Sequence, residues 1–296
     1  MLKIKILKNK EVVQFGKSCM RRKIVVIIGL VFLWLILGCQ SGSVEASYEK
    51  DDLILEALGS VFQENICKTV EELQKFETRY SWEKQDKVAN YLFKKFQEYG
   101  IRVEFDEYYF RAKKWKNVVA TIPGRKKTEG IYMLIAHFDS ISEQPEISAS
   151  GADDNASGTA AVLEIARILK GVQLESSIQF GIFSNEEQDG LGSKHFAKKA
   201  RKEGLRIKGC INLDVIGYNG AMKSLPREGS TRRGVIGIAG PKFRTARNQI
   251  LKHLHPNGMV VIAGRPENES LVKVTSSFFN KYSNIDIKEI VAEDCG

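Results

Sequence analysis

Four short stretches of this 296-residue chain carry residues that could do chemistry together. In chain order they are His137-Phe138-Asp139, Asp153-Asp154-Asn155, Glu186-Glu187 and Asp214, one imidazole and a set of carboxylates. Imidazole nitrogen and carboxylate oxygen are the ligands of zinc, and a catalytic zinc keeps one coordination position for water. Two such ions about 3.5–4 Å apart, bridged by one carboxylate, acidify a water and polarise a carbonyl. A further carboxylate, not bound to metal, must then take the proton from that water. In a Glu-Glu pair one residue can ligate while its neighbour faces the water. The aspartate of His-x-Asp can accept from the imidazole and fix its orientation. By itself Glu186-Glu187 reads as a solvated helix start and Asp153-Asp154-Asn155 as a turn. Asp214 is harder to dismiss, because it sits in an apolar run where an unpaired carboxylate is costly. Their joint occurrence points to a metal-dependent hydrolase.

The elements that must position these residues are legible from periodicity. Val88, Leu92, Phe96 and Tyr99 recur at offsets 0, 4, 8 and 11, which predicts an amphipathic helix over Trp82–Tyr99 ended by Gly100. The segment from Asp51 to Tyr80 is helical in tone. Strand-like runs follow at Ile101–Phe110, at Asn117–Ile122 closed by Pro123-Gly124, and at Ile131–Ala136. Ser157–Lys170 predicts a helix, Ser176–Phe183 a strand, Leu191–Glu203 a basic helix and Ile207–Val215 a strand. Later elements are expected at Gly234–Gly240, Arg244–Leu254 and Leu271–Tyr282, after an irregular stretch that reaches about Arg233. Strands alternating with helices define an α/β domain with a mostly parallel sheet. In such sheets ligands bind beyond the carboxyl ends of the strands, and His137, Glu186-Glu187 and Asp214 fall at such ends.

With these residues in place, the chain resembles the co-catalytic di-zinc aminopeptidases, the Zn-dependent exopeptidase family that also includes glutaminyl cyclases. The matching text is Asn117-Val118-Val119-Ala120 before Pro123-Gly124, AHFDS (136–140), GADDNASG (151–158), NEEQDGLGS (185–193) and INLDVIGY (211–218), with Phe76–Ser81 fitting the N-terminal helix region. The resemblance covers about residues 51–296. It implies a three-layer α/β/α fold with a mixed, mostly parallel central sheet. It also implies two zinc ions: His137 and Asp214 on the first, Asp154 bridging both, Glu187 on the second. Glu186 is then the general base and Asp139 supports His137. The implied reaction is hydrolysis of a peptide bond at a chain end, most often the amino end, so peptides are the expected substrates.

One part of the family pattern is missing. Its last ligand for the second zinc is a histidine near the C-terminus, usually in a Ser-Asp-His segment before one more strand. This chain has four histidines, at 137, 195, 253 and 255. His195 reads as a surface residue, and His253 and His255 sit at a predicted helix end before Pro256-Asn257-Gly258, poor candidates for that ligand. The sequence ends at Glu293-Asp294-Cys295-Gly296, close to where the Ser-Asp-His segment is expected, so the reading is of a C-terminally truncated chain with an incomplete second site. Two rival functions follow: a single-zinc, glutaminyl cyclase-like enzyme, and an inactive relative serving as a binding module at the cell surface. The stretch Asn219–Arg233 is a candidate wall of the specificity pocket.

Composition bounds the rest. Apolar residues make up 43% and charged residues 27%, which is ordinary for a globular protein and unlike a disordered or multi-span membrane chain. The net charge of +9 is concentrated at the start: residues 1–38 hold eight Lys/Arg against one acid, leaving 37 bases and 35 acids elsewhere. A basic groove for nucleic acid is therefore not indicated. Ile24–Gly38 is an uninterrupted apolar run after Arg21-Arg22-Lys23, short for the roughly 20 residues of a membrane span and suited to a signal-peptide core. Ile36-Leu37-Gly38-Cys39 resembles the bacterial lipobox. The expected layout is a signal peptide over 1–38 (with Met20 an alternative start), a tether over 39–50 and a catalytic domain over 51–296. The protein is expected to be exported to the bacterial cell envelope and anchored in the membrane by lipid at Cys39. Cys67, Cys210 and Cys295 have no metal-ligand spacing and read as structural.

Overall fold

The structure is a computed structural model that describes residues 56–57, 59–126, 130–217, 235–238, 260–264, 273, 276–277 and 287–291. The leader, Cys39, the tether, Asn219–Arg233, Arg244–Leu254, His253, His255, most of Leu271–Tyr282 and Cys295 lie outside the described residues. No helix among the described residues is long and apolar enough to cross a membrane.

The described chain runs α1 (Gln63–Gln74), α2 (Trp82–Glu98), β1 (Arg102–Phe110), β2 (Lys113–Ile122), β3 (Ile131–His137), a short π-type segment (Ala152–Ser157), α3 (Gly158–Leu169), β4 (Ser177–Phe183), α4 (Leu191–Lys202) and β5 (Ile207–Asp214). Three shorter strands follow: β6 (Val235–Ile238), β7 (Val260–Gly264) and β8 (Ile287–Val291). The eight strands form one sheet in the order β1-β2-β4-β3-β5-β6-β7-β8. Pairings β3/β4, β3/β5, β6/β7 and β7/β8 are parallel, and β1/β2, β2/β4 and β5/β6 are antiparallel.

In β2 to β5 side chains alternate across the sheet, as the two-residue period of a strand requires. Val118, Ala120, Tyr132, Leu134, Ala136, Ile178, Phe180, Ile182, Ile211 and Leu213 face the layer made by α1, α2 and α3. Val119, Met133 and Phe183 face the other way, onto Phe196 and Ala200 of α4. The result is three layers, α/β/α. The stripe expected on α2 is present: Val88, Leu92 and Phe96 are fully buried. Ser81 caps that helix by accepting from the Lys84 amide.

Where the predicted and observed elements differ, the cause is local. β2 begins at Lys113, four residues before the apolar run, because residues 113–121 pair with the whole of β1 through a two-residue turn. Both turn residues, Arg111 and Ala112, have positive φ (48° and 58°), the geometry of a tight hairpin whose usual Asn-Gly signature is absent here. β7 and β8 escape notice in the sequence because each is only five residues long, and β8 (IKEIV) carries two charges, as an edge strand tolerates. Of the cysteines, Cys67 is disulfide-bonded, whereas Cys210 is a free thiol that burial pushes up to about 12.

Candidate metal centre

The parallel strands β4, β3 and β5 lie side by side, so their carboxyl ends share one edge of the sheet. His137 ends β3, Asp214 ends β5, and Glu186 and Glu187 stand three and four residues beyond the end of β4. Asp154 reaches the same edge from the π-type segment, where its backbone is non-helical and its peptide bond to Asn155 is cis. That segment is tied to β5: Asn155 Nδ2 donates to the Leu213 carbonyl (2.8 Å) and Asn155 Oδ1 accepts from the Gly158 amide (2.9 Å). Gly158 is required by this approach, since a Cβ there would stand 2.4 Å from both Asn155 Oδ1 and the Leu213 oxygen.

His137 is buried at the focus. Its Nε2 lies 3.3 Å from Asp154 Oδ1, 3.5 Å from Asp214 Oδ1 and 4.0 Å from Glu186 Oε2. Its Nδ1 faces Asp139 Oδ1 at 3.4 Å. Two sets of groups could therefore hold a cation, His137 with Asp154 and Asp214, and His137 with Glu186 and Glu187. All six residues singled out in the sequence converge here. Asp139 does more than face the imidazole: its two oxygens accept from the backbone amides of Glu186 (2.9 Å) and Glu187 (3.0 Å), so it also fixes the loop after β4.

Whether these residues suit a metal can be tested on the site itself. Asp214 Oδ1 and Glu187 Oε1 are buried atoms without a hydrogen-bond partner, an arrangement that costs stability unless something else is bound there. The carboxyl groups also crowd one another. Burial, then the charge of Asp154, pushes Glu187 up to about 8 against the opposing pull of His137. Burial raises Glu186 as well, with Asp214, Asp139 and Asp154 adding to it. Burial alone would lower His137, but Asp139, Asp154 and Asp214 hold it well above its ordinary value. Anionic oxygens gathered around one imidazole Nε2, with two acceptors unsatisfied, fit a divalent cation of the zinc type.

Several residues that hold the centre carry no ligand signature in the sequence. Asp153 accepts from the Gly217 amide (2.7 Å) and from Ser157 Oγ (3.2 Å), joining the π-type segment to the chain after β5. On the other side, Asn117 Oδ1 accepts from the Ser184 amide and hydroxyl (both 3.0 Å), and its Nδ2 donates to Asp106 Oδ2 (2.9 Å) and the Gly192 carbonyl (3.0 Å). Asn185, at φ 52°, donates from Nδ2 to Tyr108 Oη (2.8 Å) and accepts at Oδ1 from Gln85 Nε2 (3.1 Å), immediately before Glu186. The Asn117 and Asn185 motifs are visible in the sequence, but their partners lie 11 to 100 residues away. His195 departs from expectation. It is half-buried rather than a plain surface residue, stacked on Tyr108 with Nε2 3.5 Å from buried Asp106 Oδ1, and it belongs to neither cation-capable set.

An α/β/α sandwich with acids and one histidine at adjacent strand ends defines a metal-dependent hydrolase architecture. The profile of peptidase family M28 matches residues 117–280, and the chain belongs to that family. A probable leucine aminopeptidase of Trichophyton verrucosum is 32% identical over 192 residues, covering 59% of this chain and 50% of that protein. A probable zinc metalloprotease of Pyrenophora teres f. teres is 31% identical over 280 residues, covering 80% of this chain and 60% of that protein. The chain thus spans about half the length of the leucine aminopeptidases it matches. Among solved structures, LapB from Legionella pneumophila aligns with a TM-score of 0.60 at 17% identity, covering 88% of this chain and 68% of that one. The LapA aminopeptidase of the same organism aligns with a TM-score of 0.54 at 19% identity, covering 81% of this chain and 61% of that one. These two likenesses bear on the fold.

Proposed function

We propose that this protein is a zinc-dependent aminopeptidase that removes residues from the free amino ends of peptides. The observation that carries the reading is the convergence of Asp154 and Asp214 on His137 Nε2, with half-exposed Glu186 facing the same point. His137, Asp154 and Asp214 would hold one zinc, and Glu187 with the shared Asp154 would contribute to a second. Bound there, zinc supplies Lewis acidity, lowering the pKa of a water and polarising the scissile carbonyl.

The chain's own residues supply the remainder. Glu186 takes the proton of the attacking water as its oxygen bonds to the carbonyl carbon. It returns that proton to the leaving nitrogen as the C–N bond breaks. A carboxylate raised above its ordinary value suits both halves of that exchange. Asp139 holds the Glu186 and Glu187 amides, which keeps the base at a fixed height over the histidine. The probable leucine aminopeptidases that the chain resembles support amino-end specificity.

The test is steady-state hydrolysis of a leucyl anilide by the zinc-loaded chain, with a peptide bearing N-terminal Gln assayed alongside for ammonia release. Zinc-dependent release of the aniline supports the reading. Ammonia release without aniline would replace it with a cyclase, and neither product would leave a non-catalytic binding role. The same proposal places the protein in the cell envelope, held by lipid on Cys39. Incorporation of labelled palmitate that is lost in Cys39→Ser supports this, and an unlabelled wild-type chain contradicts it.

A further inference from the structure

Arg79 lies in the Phe76–Ser81 motif, which the reaction above does not use, and it is completely buried. Three of its nitrogens reach backbone carbonyls of the two loops that carry the proposed ligands. Nε donates to Phe138 O (2.6 Å), between His137 and Asp139. Nη1 donates to Ser150 O (2.7 Å) and Nη2 to Gly151 O (2.8 Å), on the chain leading into Asp153-Asp154. The Arg79 amide donates to Ser140 Oγ (3.1 Å), whose hydroxyl donates to Ala149 O (2.7 Å). Glycine is needed at 151, where φ is 48° and a Cβ would stand 2.4 Å from the Asp154 carbonyl oxygen, 2.5 Å from Ser140 Cβ and 2.6 Å from Arg79 Nη2.

A fully buried cation is expensive unless something compensates for lost hydration. Burial pulls the guanidinium down to about 10, and Asp139 and Asp154 oppose that shift. It stays charged at neutral pH and adds a fixed positive charge beneath a cluster of acids. Its planar fork can serve three carbonyls at once, which the single nitrogen of lysine cannot do in that geometry.

We infer that Arg79 is a positioning residue for the metal centre: its guanidinium ties the loop after β3 to the loop before α3 and so sets the spacing of His137 and Asp154. It touches neither the proposed metal nor substrate. Its effect is on how well the ligands are arranged before a cation arrives. The inference rests on the metal site proposed above.

The experiment is zinc affinity measured by competition with a chromophoric chelator, on the full chain, with thermal denaturation of the zinc-free proteins in parallel. Arg79→Lys keeps the charge and loses the fork, and is expected to weaken zinc about 10–100-fold, the usual effect of removing support from a ligand. Ser140→Ala cuts the neighbouring cross-tie but leaves the guanidinium in place, and is expected to lower the melting temperature while changing zinc affinity less than about threefold. Arg79→Ala is expected to recover affinity with millimolar guanidinium ion but not with methylammonium; where that variant does not fold, Arg79→Lys carries the test. Arg79→Lys binding zinc as tightly as wild type would overturn the inference. So would Ser140→Ala weakening zinc as much as Arg79→Lys, since the effect would then be general loosening of the loops. Wild type failing to bind zinc at all would instead remove the metal reading itself.

Discussion

The two halves of the centre are built differently. His137 and Asp214 sit on the last residues of strands β3 and β5, and Asp154 is tied to β5 through Asn155. That half is supported by backbone carbonyls, a buried guanidinium and the acid Asp153. Glu186, which is exposed, and Glu187, which is half-buried, sit on a loop beyond β4 supported by neutral amides and hydroxyls: Asn117, Ser184, Asn185, Tyr108 and Gln85. Asp139 reaches both halves, facing His137 Nδ1 and accepting from the Glu186 and Glu187 amides. The contrast is between ligands that stand on strand ends and a pair of glutamates that stand on a loop, held there through their backbone amides by Asp139. Charged, strand-anchored support holds ligands at one spacing. An exposed glutamate on a turn can approach water and leaving group in succession.

The comparison breaks most visibly at the base. Glu186→Gln should lower kcat about 10²–10⁴-fold, the range for a lost general base, while zinc affinity stays within a few-fold of wild type. Kinetics on a leucyl anilide and chelator competition separate the two effects. On the other half, Asp154→Ala should weaken zinc by more than the roughly 10–100-fold that losing a ligand's own hydrogen-bond partner costs, with activity falling in step. A variant that bound zinc normally yet lost activity would move Asp154 out of the ligand half.

A smaller effect is expected from the support of the base. Asn117 is fully buried and serves Ser184, Asp106 and Gly192 at once, so Asn117→Ala leaves several buried groups unsatisfied. It should cost about 1–3 kcal/mol of stability, seen in urea unfolding, and lower kcat with little change in zinc affinity. A change in zinc affinity as large as that in kcat would show that the halves are not separable.

The mildest effect is on pH. In the zinc-free protein, Glu187 titrates near 8 when folded but near 4.5 when unfolded, so the folded state holds the extra proton between those values. Stability from this group is present below about 4.5 and lost as pH rises toward 8. His137, raised well above 6.5, acts in the same direction, because its folded-state protonation is lost only on going above its raised value. The melting temperature in chelator should therefore fall as pH rises across this window, and Glu187→Gln should flatten the fall. Zinc needs deprotonated ligands, so its affinity should rise with pH over the same range.

Much of this was legible in the sequence where apolar periodicity and chemistry coincide. The run from β3 through α3, β4 and α4 to β5 is marked by largely apolar strand segments and by helical spacing in α3, and the six acid and histidine positions fall at its joints. Arg79, Asn117 and Asn185 were readable as motif letters but not as supports, because a buried polar residue is defined by partners distant in sequence. Arg79 reaches 59 to 72 residues away, and Asn117 reaches 67 to Ser184. His195 looked like a surface residue because nothing in its helix announces the buried Asp106 on β1. The edge strand β8 and the charged half of β2 were hidden because pairing, not hydrophobicity, makes them strands.

The most direct test of the central claim is anomalous diffraction at the zinc edge from crystals of the full chain grown with zinc. The account predicts a peak about 2.0–2.2 Å from His137 Nε2 and from carboxylate oxygens of Asp154 and Asp214, with Glu186 facing it without bonding to it. Crystals that show no peak among these three residues, or a zinc ligated by Glu186, would contradict it.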